Sequence, residues 1–160
     1  DIGASTGGFT QVLLAGGAAR VYAVDVGRGQ LRPELARDPR VIVREGVNAR
    51  TLSAAEVPEP VGAIVADVSF IGLGLVLPPA LALAAPGAWA VVLVKPQFEA
   101  GPAAVGKRGI VRDARARAAA LARIVRFVNG QPDWAVIGEM DSPICGGDGN
   151  REFLVGARKA

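Results

Sequence analysis

DIGASTGGFT, residues Asp1 to Thr10, is a glycine-rich loop that opens on a carboxylate and runs into a short helical stretch and then an apolar strand. That succession sets the fold class. Phe9 to Ala15 reads as a helix closed by Gly16-Gly17, and RVYAVDV reads as a strand ending near Asp25. VIVREGV, GAIVADVS and WAVVLVK follow as apolar, β-branched runs, separated by helical candidates around Leu31 to Ala36, Ser53 to Val57 and Leu73 to Ala85. Alternating strand and helix predicts an α/β domain: a mostly parallel, twisted sheet with crossover helices on both faces. Asp113 is placed to cap a helix that ends at Asn129 before Gly130, with Leu121, Ile124, Val125 and Val128 on one side. WAVIGEM and EFLVGARK flank the turn-rich SPICGGDGN, which predicts a final antiparallel strand pair.

At 160 residues and 51% hydrophobic content the chain is one domain, 1–160, able to bury a real core. The net charge of +3 is compatible with an anionic partner without demanding one. No histidine is present and Cys145 is the single cysteine, which excludes a Cys/His zinc site, an internal disulfide and a Ser-His-Asp relay. No metal is expected unless carboxylates hold magnesium. The cysteine usage fits a reducing cytoplasm. Val68 to Val94 carries no formal charge over 27 residues, long enough for a membrane span. Pro78-Pro79 and Pro86-Gly87 divide it, so it reads as helix, turn and buried strand, with no membrane partner. No signal peptide or initiator Met stands at the start, so the chain is expected to be a piece of a longer polypeptide.

In open α/β sheets ligands bind at the carboxyl ends of the strands. Asp1 and the glycines mark the first such end, Asp25 the second, Asn48 the third, Asp67 the fourth and Lys95 the fifth. The loop spacing, G-x-x-x-G-G, matches neither the dinucleotide fingerprint nor the phosphate-binding loop with its lysine. An ionised Asp1 would repel a pyrophosphate but attract an ammonium group and a sulfonium centre, the charges of S-adenosylmethionine. Gly3, Gly7 and Gly8 would then admit the backbone close to the methionine portion, and Asp25 would accept hydrogen bonds from the ribose hydroxyls. Nicotinamide enzymes also place an acid on the ribose, so a nicotinamide-dependent oxidoreductase stands as an alternative.

The chain uses 15 arginines and only three lysines, so lysine in VLVKPQFE is a choice against composition. Unlike arginine, a lysine ammonium in a crowded site can give up its proton and serve as a base. Lys95 is the candidate base for activating a sugar hydroxyl, with Asp67 of IVADVSF and Glu152 of GNREF orienting lysine and hydroxyl. Methyl transfer itself is an in-line displacement in which positioning supplies most of the rate. The competing structural reading pairs Lys95 with Asp67 or Glu99 at the surface. Asp67-Val68-Ser69-Phe70 also places an acid three residues before an aromatic, as base-directed amino-methyltransferases acting on a flipped base do, although without their usual proline pair.

DIGASTGGFT, AVDVGRGQL, VADVSFIGL, LVKPQFEAG, VGKRGIVRD, SPICGGDGN and REFL together resemble the hemolysin A family of ribosomal RNA 2′-O-ribose methyltransferases, whose FtsJ-like domain is related to the heat-shock RNA methyltransferases. The likeness runs from Asp1 to Leu154 and implies a Rossmann-like class I fold that uses S-adenosylmethionine. It also implies that Asp1, Gly3, Ser5, Thr6, Gly7, Gly8, Asp25, Asn48 and Asp67 line the cofactor cleft. Asp67, Lys95 and Glu152 would be three members of a Lys-Asp-Lys-Glu tetrad. Lys107, Arg108 and Arg112, in the basic loop Gly101 to Arg112, would meet phosphates of ribosomal RNA or a ribosomal subunit. Full-length members carry an amino-terminal S4-type RNA-binding domain and the tetrad's first lysine upstream of the core, and these, with nearly all of the first strand, are absent here. Were residues 1–160 the whole polypeptide, the domain would be expected to be weakly stable and, while able to bind cofactor, to methylate poorly. The family's name adds a membrane-active reading, supported in sequence only by the proline-broken uncharged stretch.

Overall fold

The structure is a computed structural model that describes residues 1–160. Six strands and five helices follow one another as α1 (Gly8–Ala15), β1 (Val21–Asp25), α2 (Pro33–Ala36), β2 (Val41–Glu45), β3 (Val61–Ala66), α3 (Leu73–Ala82), β4 (Ala84–Val94), α4 (Pro96–Glu99), α5 (Ala114–Asn129), β5 (Trp134–Asp141) and β6 (Phe153–Lys159). β1 pairs with β2 and β3 with β4, both in parallel, whereas β6 runs antiparallel between β4 and β5. The expected α/β architecture with a final antiparallel pair is what the chain adopts.

Between β1 and β3 stands a single residue. Ile2 makes one parallel bridge to Val24, where the Gly3 N–H donates to the Val24 carbonyl at 2.8 Å and the Val24 N–H to the Asp1 carbonyl at 2.9 Å, and one to Ala66, where the Ile2 N–H donates to Val65 at 2.8 Å and the Asp67 N–H to Ile2 at 2.9 Å. Asp1–Ala4 thus register the carboxyl ends of β1 and β3 to each other.

Neighbouring residues of β1 feed different cores. Tyr22 and Val24 join a large cluster built on β3, β4, β6, α3 and α5, while Val21 and Ala23 join Ala4, Leu14, Leu35 and Val41 on the other face. The period-2 alternation of a strand produces this division and puts helices on both sides.

Local chemistry accounts for the elements and for three departures from the sequence reading. α5 begins where Asp113 Oδ1 accepts the Arg115 N–H at 2.9 Å, and its buried face repeats at Ala120, Ile124 and Val128. Ser53 to Val57, read as a helix, is one turn only. Glu56 Oε2 accepts both the N–H and the hydroxyl of Ser53 at 2.9 Å, and Pro58 bars continuation. Pro78 and Pro79 do not divide the uncharged stretch, because α3 runs through them. A proline in a helix interior costs about 3 kcal/mol, and here burial of Leu73, Val76, Leu77, Ala80 and Leu81 outweighs that cost. Pro86-Gly87 likewise falls within β4 rather than ending a helix, at a register shift where Gly87 takes a φ of +76°. No helix is long and apolar enough to cross a membrane.

Candidate functional site

A cavity of about 540 Å³ opens at the carboxyl ends of β1, β2 and β3. Of the predicted cofactor residues, Gly3, Ser5, Asp25, Asn48 and Asp67 line it. Asp25 Oδ2 accepts the N–H of Ser5 at 2.8 Å and Oδ1 accepts the N–H of Gly27 at 2.7 Å, so this carboxylate ties the glycine loop to the end of β1. Each oxygen keeps a lone pair for a further donor. Asn48 Oδ1 accepts the N–H of Arg50 at 3.0 Å and shapes the turn on the opposite wall.

Asp1, Thr6, Gly7 and Gly8 do not line the cavity; they build the loop that does. Asp1 Oδ2 accepts the hydroxyl of the fully buried Thr10 at 2.6 Å, while its buried Oδ1 has no donor. The main chain of Thr6 accepts from Arg32. Gly7 carries a φ of +98° and starts α1, and a side chain there would collide with Leu31 and Leu35. Gly3 has the strictest requirement. Its φ is +78° and an added Cβ would lie 2.2 Å from the Asp67 carbonyl oxygen, so only glycine lets the loop close against β3.

The predicted reacting groups meet on the β3–β4 side. Lys95 Nζ lies 2.6 Å from Asp67 Oδ1 and 3.0 Å from Ser69 Oγ. The lysine side chain is 14% exposed and the aspartate 41%, so the pair faces the cavity mouth from a partly desolvated position. Glu152, only 6% exposed, has its carboxyl pushed above the ordinary range by burial. Lys95 offsets part of that shift and Asp67 adds to it, which joins the three groups in one electrostatic cluster. Gln97 Nε2 approaches Glu152 Oε1 at 3.5 Å, and Gly146 makes room for the carboxylate. Phe70, 91% exposed and held at a φ of +63°, stands on the cavity rim.

Lys107, Arg108 and Arg112 are exposed on the loop beside this cluster, and Arg108 holds a φ of +65°. Asn150, which sequence reasoning missed, fastens that loop. Its Oδ1 accepts the Val111 N–H at 3.0 Å and its Nδ2 donates to the Gly109 carbonyl at 2.9 Å, from a side chain 1% exposed. Ser69 was also missed as a partner of Lys95, and of the two acids read as possible partners of Lys95 it is Asp67 that pairs with it, whereas Glu99 pairs with Leu73 and Arg123. The motifs containing all three were legible, but their long-range pairings leave no local mark.

The profile of the FtsJ-like methyltransferase family matches residues 1–159. The chain is 46% identical over 158 residues to the 16S/23S rRNA (cytidine-2′-O)-methyltransferase TlyA of Mycobacterium tuberculosis, which covers 99% of this chain and 59% of that protein. It superposes on the crystal structure of a protein from Lactococcus lactis described as a hemolysin with a TM-score of 0.95 and 42% identity, covering all of this chain and 76% of the other. An O-methyltransferase from Bacillus cereus, solved in complex with SAH, shares the fold at a TM-score of 0.63 and 18% identity, covering 99% of this chain and 72% of that one. The chain spans 55 to 64% of the length of the curated relatives it matches.

Proposed function

The chain belongs to the FtsJ-like methyltransferase family, and from that premise we propose that it transfers the methyl group of S-adenosylmethionine to a ribose 2′-hydroxyl of ribosomal RNA. The observation that carries this reading is the grouping of Lys95 and Glu152 with Asp67, which itself lines a cavity ringed by Asp25, Asn48 and the glycine loop. The residues present fit the cofactor. The Asp25 carboxylate, on the cavity wall, has lone pairs left for hydroxyl groups, and Gly3 lets the loop close against β3 with no side chain in the way. Gly3, Ser5, Asp25, Asn48 and Asp67 would hold it, and when bound it supplies an electrophilic methyl group.

The chain's own groups do the rest. Lys95 accepts the proton of the ribose hydroxyl, and Asp67, already 2.6 Å away, fixes the lysine's position. Glu152 holds its proton more tightly than an ordinary carboxyl and orients the hydroxyl from the other side. Phe70 offers an exposed ring on which the target nucleotide's base can stack. Lys107, Arg108 and Arg112 contact RNA phosphates.

Incubation with labelled S-adenosylmethionine and ribosomal RNA, followed by nucleoside mass spectrometry, tests the reading. A 2′-O-methylated nucleoside, lost on Lys95→Ala, is expected. A methyl group on the base amine would transfer the site to the amino-methyltransferase class, for which Phe70 beside Asp67 is the supporting observation. Calorimetric titration with S-adenosylmethionine and with NAD separates both from an oxidoreductase.

A further inference from the structure

Residues 67–73, leaving β3, and residues 95–99, leaving β4, are fastened to each other in register at successive points. Lys95 Nζ meets Asp67 Oδ1 and Ser69 Oγ at 2.6 and 3.0 Å. The ring of Phe98 lies 5.2 Å from that of Phe70. Glu99 Oε1 then accepts the N–H of Leu73 at 2.7 Å, while its Oε2 accepts from Arg123 Nη2 of α5 at 3.0 Å. Both reacting side chains sit at one end of this zipper, and Glu99 closes the other.

Glu99 is 5% exposed. A carboxylate so placed persists only when its oxygens are paired, and both are. Leu73 is the first residue of α3, whose N-cap, Gly72, has no side chain to cap it. Glu99 caps that helix from another segment, and its charge lies at the positive end of the α3 dipole. Gly72 is packed against it, with an added Cβ 3.7 Å from Oε2. The site described above uses none of these interactions, yet they join the two segments that must hold Asp67 and Lys95 together.

We propose that Glu99, braced by Arg123, is a positioning residue for methyl transfer: it locks the 67–73 segment to the 95–99 segment and so sets where Lys95 Nζ stands relative to Asp67. This rests on the methyl-transfer reading for its kinetic consequence but not for its structural one. Displacing a reacting group by about 1 Å costs up to roughly a hundredfold in rate. Loss of the lock therefore acts on turnover more than on cofactor affinity, to which the 67–71 wall contributes with Asp25, Asn48 and the glycine loop.

The chain has only three lysines, Lys95, Lys107 and Lys159, so side-chain ammonium NMR follows Lys95 directly. In the parent protein Asp67→Asn is expected to shift the Lys95 Nζ signal. In Glu99→Ala the Lys95 signal should move toward that of exposed Lys107 and cease to respond to Asp67→Asn. Turnover at saturating cofactor and RNA should fall about tenfold or more, a larger factor than any rise in the Kd for S-adenosylmethionine. Glu99→Gln, which keeps an oxygen for the Leu73 N–H, should recover part of the rate. If Glu99→Ala does not fold, Glu99→Gln and Arg123→Met are read in its place. A Lys95 signal that responds fully to Asp67→Asn in every Glu99 and Arg123 variant, with parental turnover, overturns the proposal. A parent protein that methylates no RNA sinks the functional reading instead, and the ammonium measurement still decides whether Glu99 sets Lys95.

Discussion

Glu152 and Gly146 are two residues whose value lies in each other. An alanine at position 146 would place its Cβ 2.4 Å from Glu152 Oε1, and the backbone there does not require glycine, since its φ lies outside the left-handed region. Gly146→Ala is therefore expected to push the carboxylate aside and lower methyl transfer about tenfold, while the melting temperature stays nearly constant. A large fall in melting temperature would place the defect in folding instead. Glu152 also carries a pH signature. Burial raises its folded-state pKa above the unfolded one, so its contribution to stability is full below the ordinary carboxylate range and is lost as pH rises through the raised value. Glu152→Gln should match the wild type in melting temperature near about pH 4 and exceed it near neutrality. Parallel pH profiles for the two proteins would contradict the assignment. The sequence marked Glu152 as a charge beside an apolar strand, but not its neighbour, because nothing in SPICGGDGN reveals which glycine faces a side chain.

At the scale of elements, α5 was legible and the start of β4 was not. Asp113, the apolar side of Leu121, Ile124, Val125 and Val128, and the closing Gly130 all act within the helix itself, although the fully buried positions are Ala120, Ile124 and Val128, with Leu121 and Val125 at the edge of the core. Pro78, Pro79, Pro86 and Gly87 are breakers by local preference, yet the apolar face of α3 and the pairing of β4 override them. The arginines of α5 divide by role. Arg123 pairs with Glu99 and Arg117 donates to the carbonyls of Val111 and Arg112, whereas Arg112 and Arg115 are exposed and bonded to no acid. They continue the line of Lys107 and Arg108 into the first turn of the helix, where a cation opposes the helix dipole. Arg112→Gln combined with Arg115→Gln should weaken RNA binding at low salt. The slope of log affinity against log salt should flatten by about 0.7 to 0.9 for each phosphate that is no longer neutralised. An unchanged slope would reduce the pair to a solvated face.

Across the whole molecule, the pairing order could not be read in advance. β6 inserts between β4 and β5 through partners such as Trp89 and Arg158, and pairings so distant in sequence leave no periodic signal. The parallel pairs and the antiparallel ending were legible because strand spacing and intervening helices dictate them. The β1–β2 half and the β3–β6 half are bridged by Ile2 and packed together through Tyr22 and Val24, and the cavity takes its walls from both, Val24 to Arg50 on one side and Asp67 to Val76 on the other. S-adenosylmethionine seated between these walls should raise the melting temperature and slow amide exchange at the carboxyl ends of β1, β2 and β3. A melting temperature and an exchange pattern that the cofactor leaves unchanged would show that it does not occupy this cavity. A small molecule lying across that seam would touch both flanks at once, so its arrival would stiffen the very lip of the cleft.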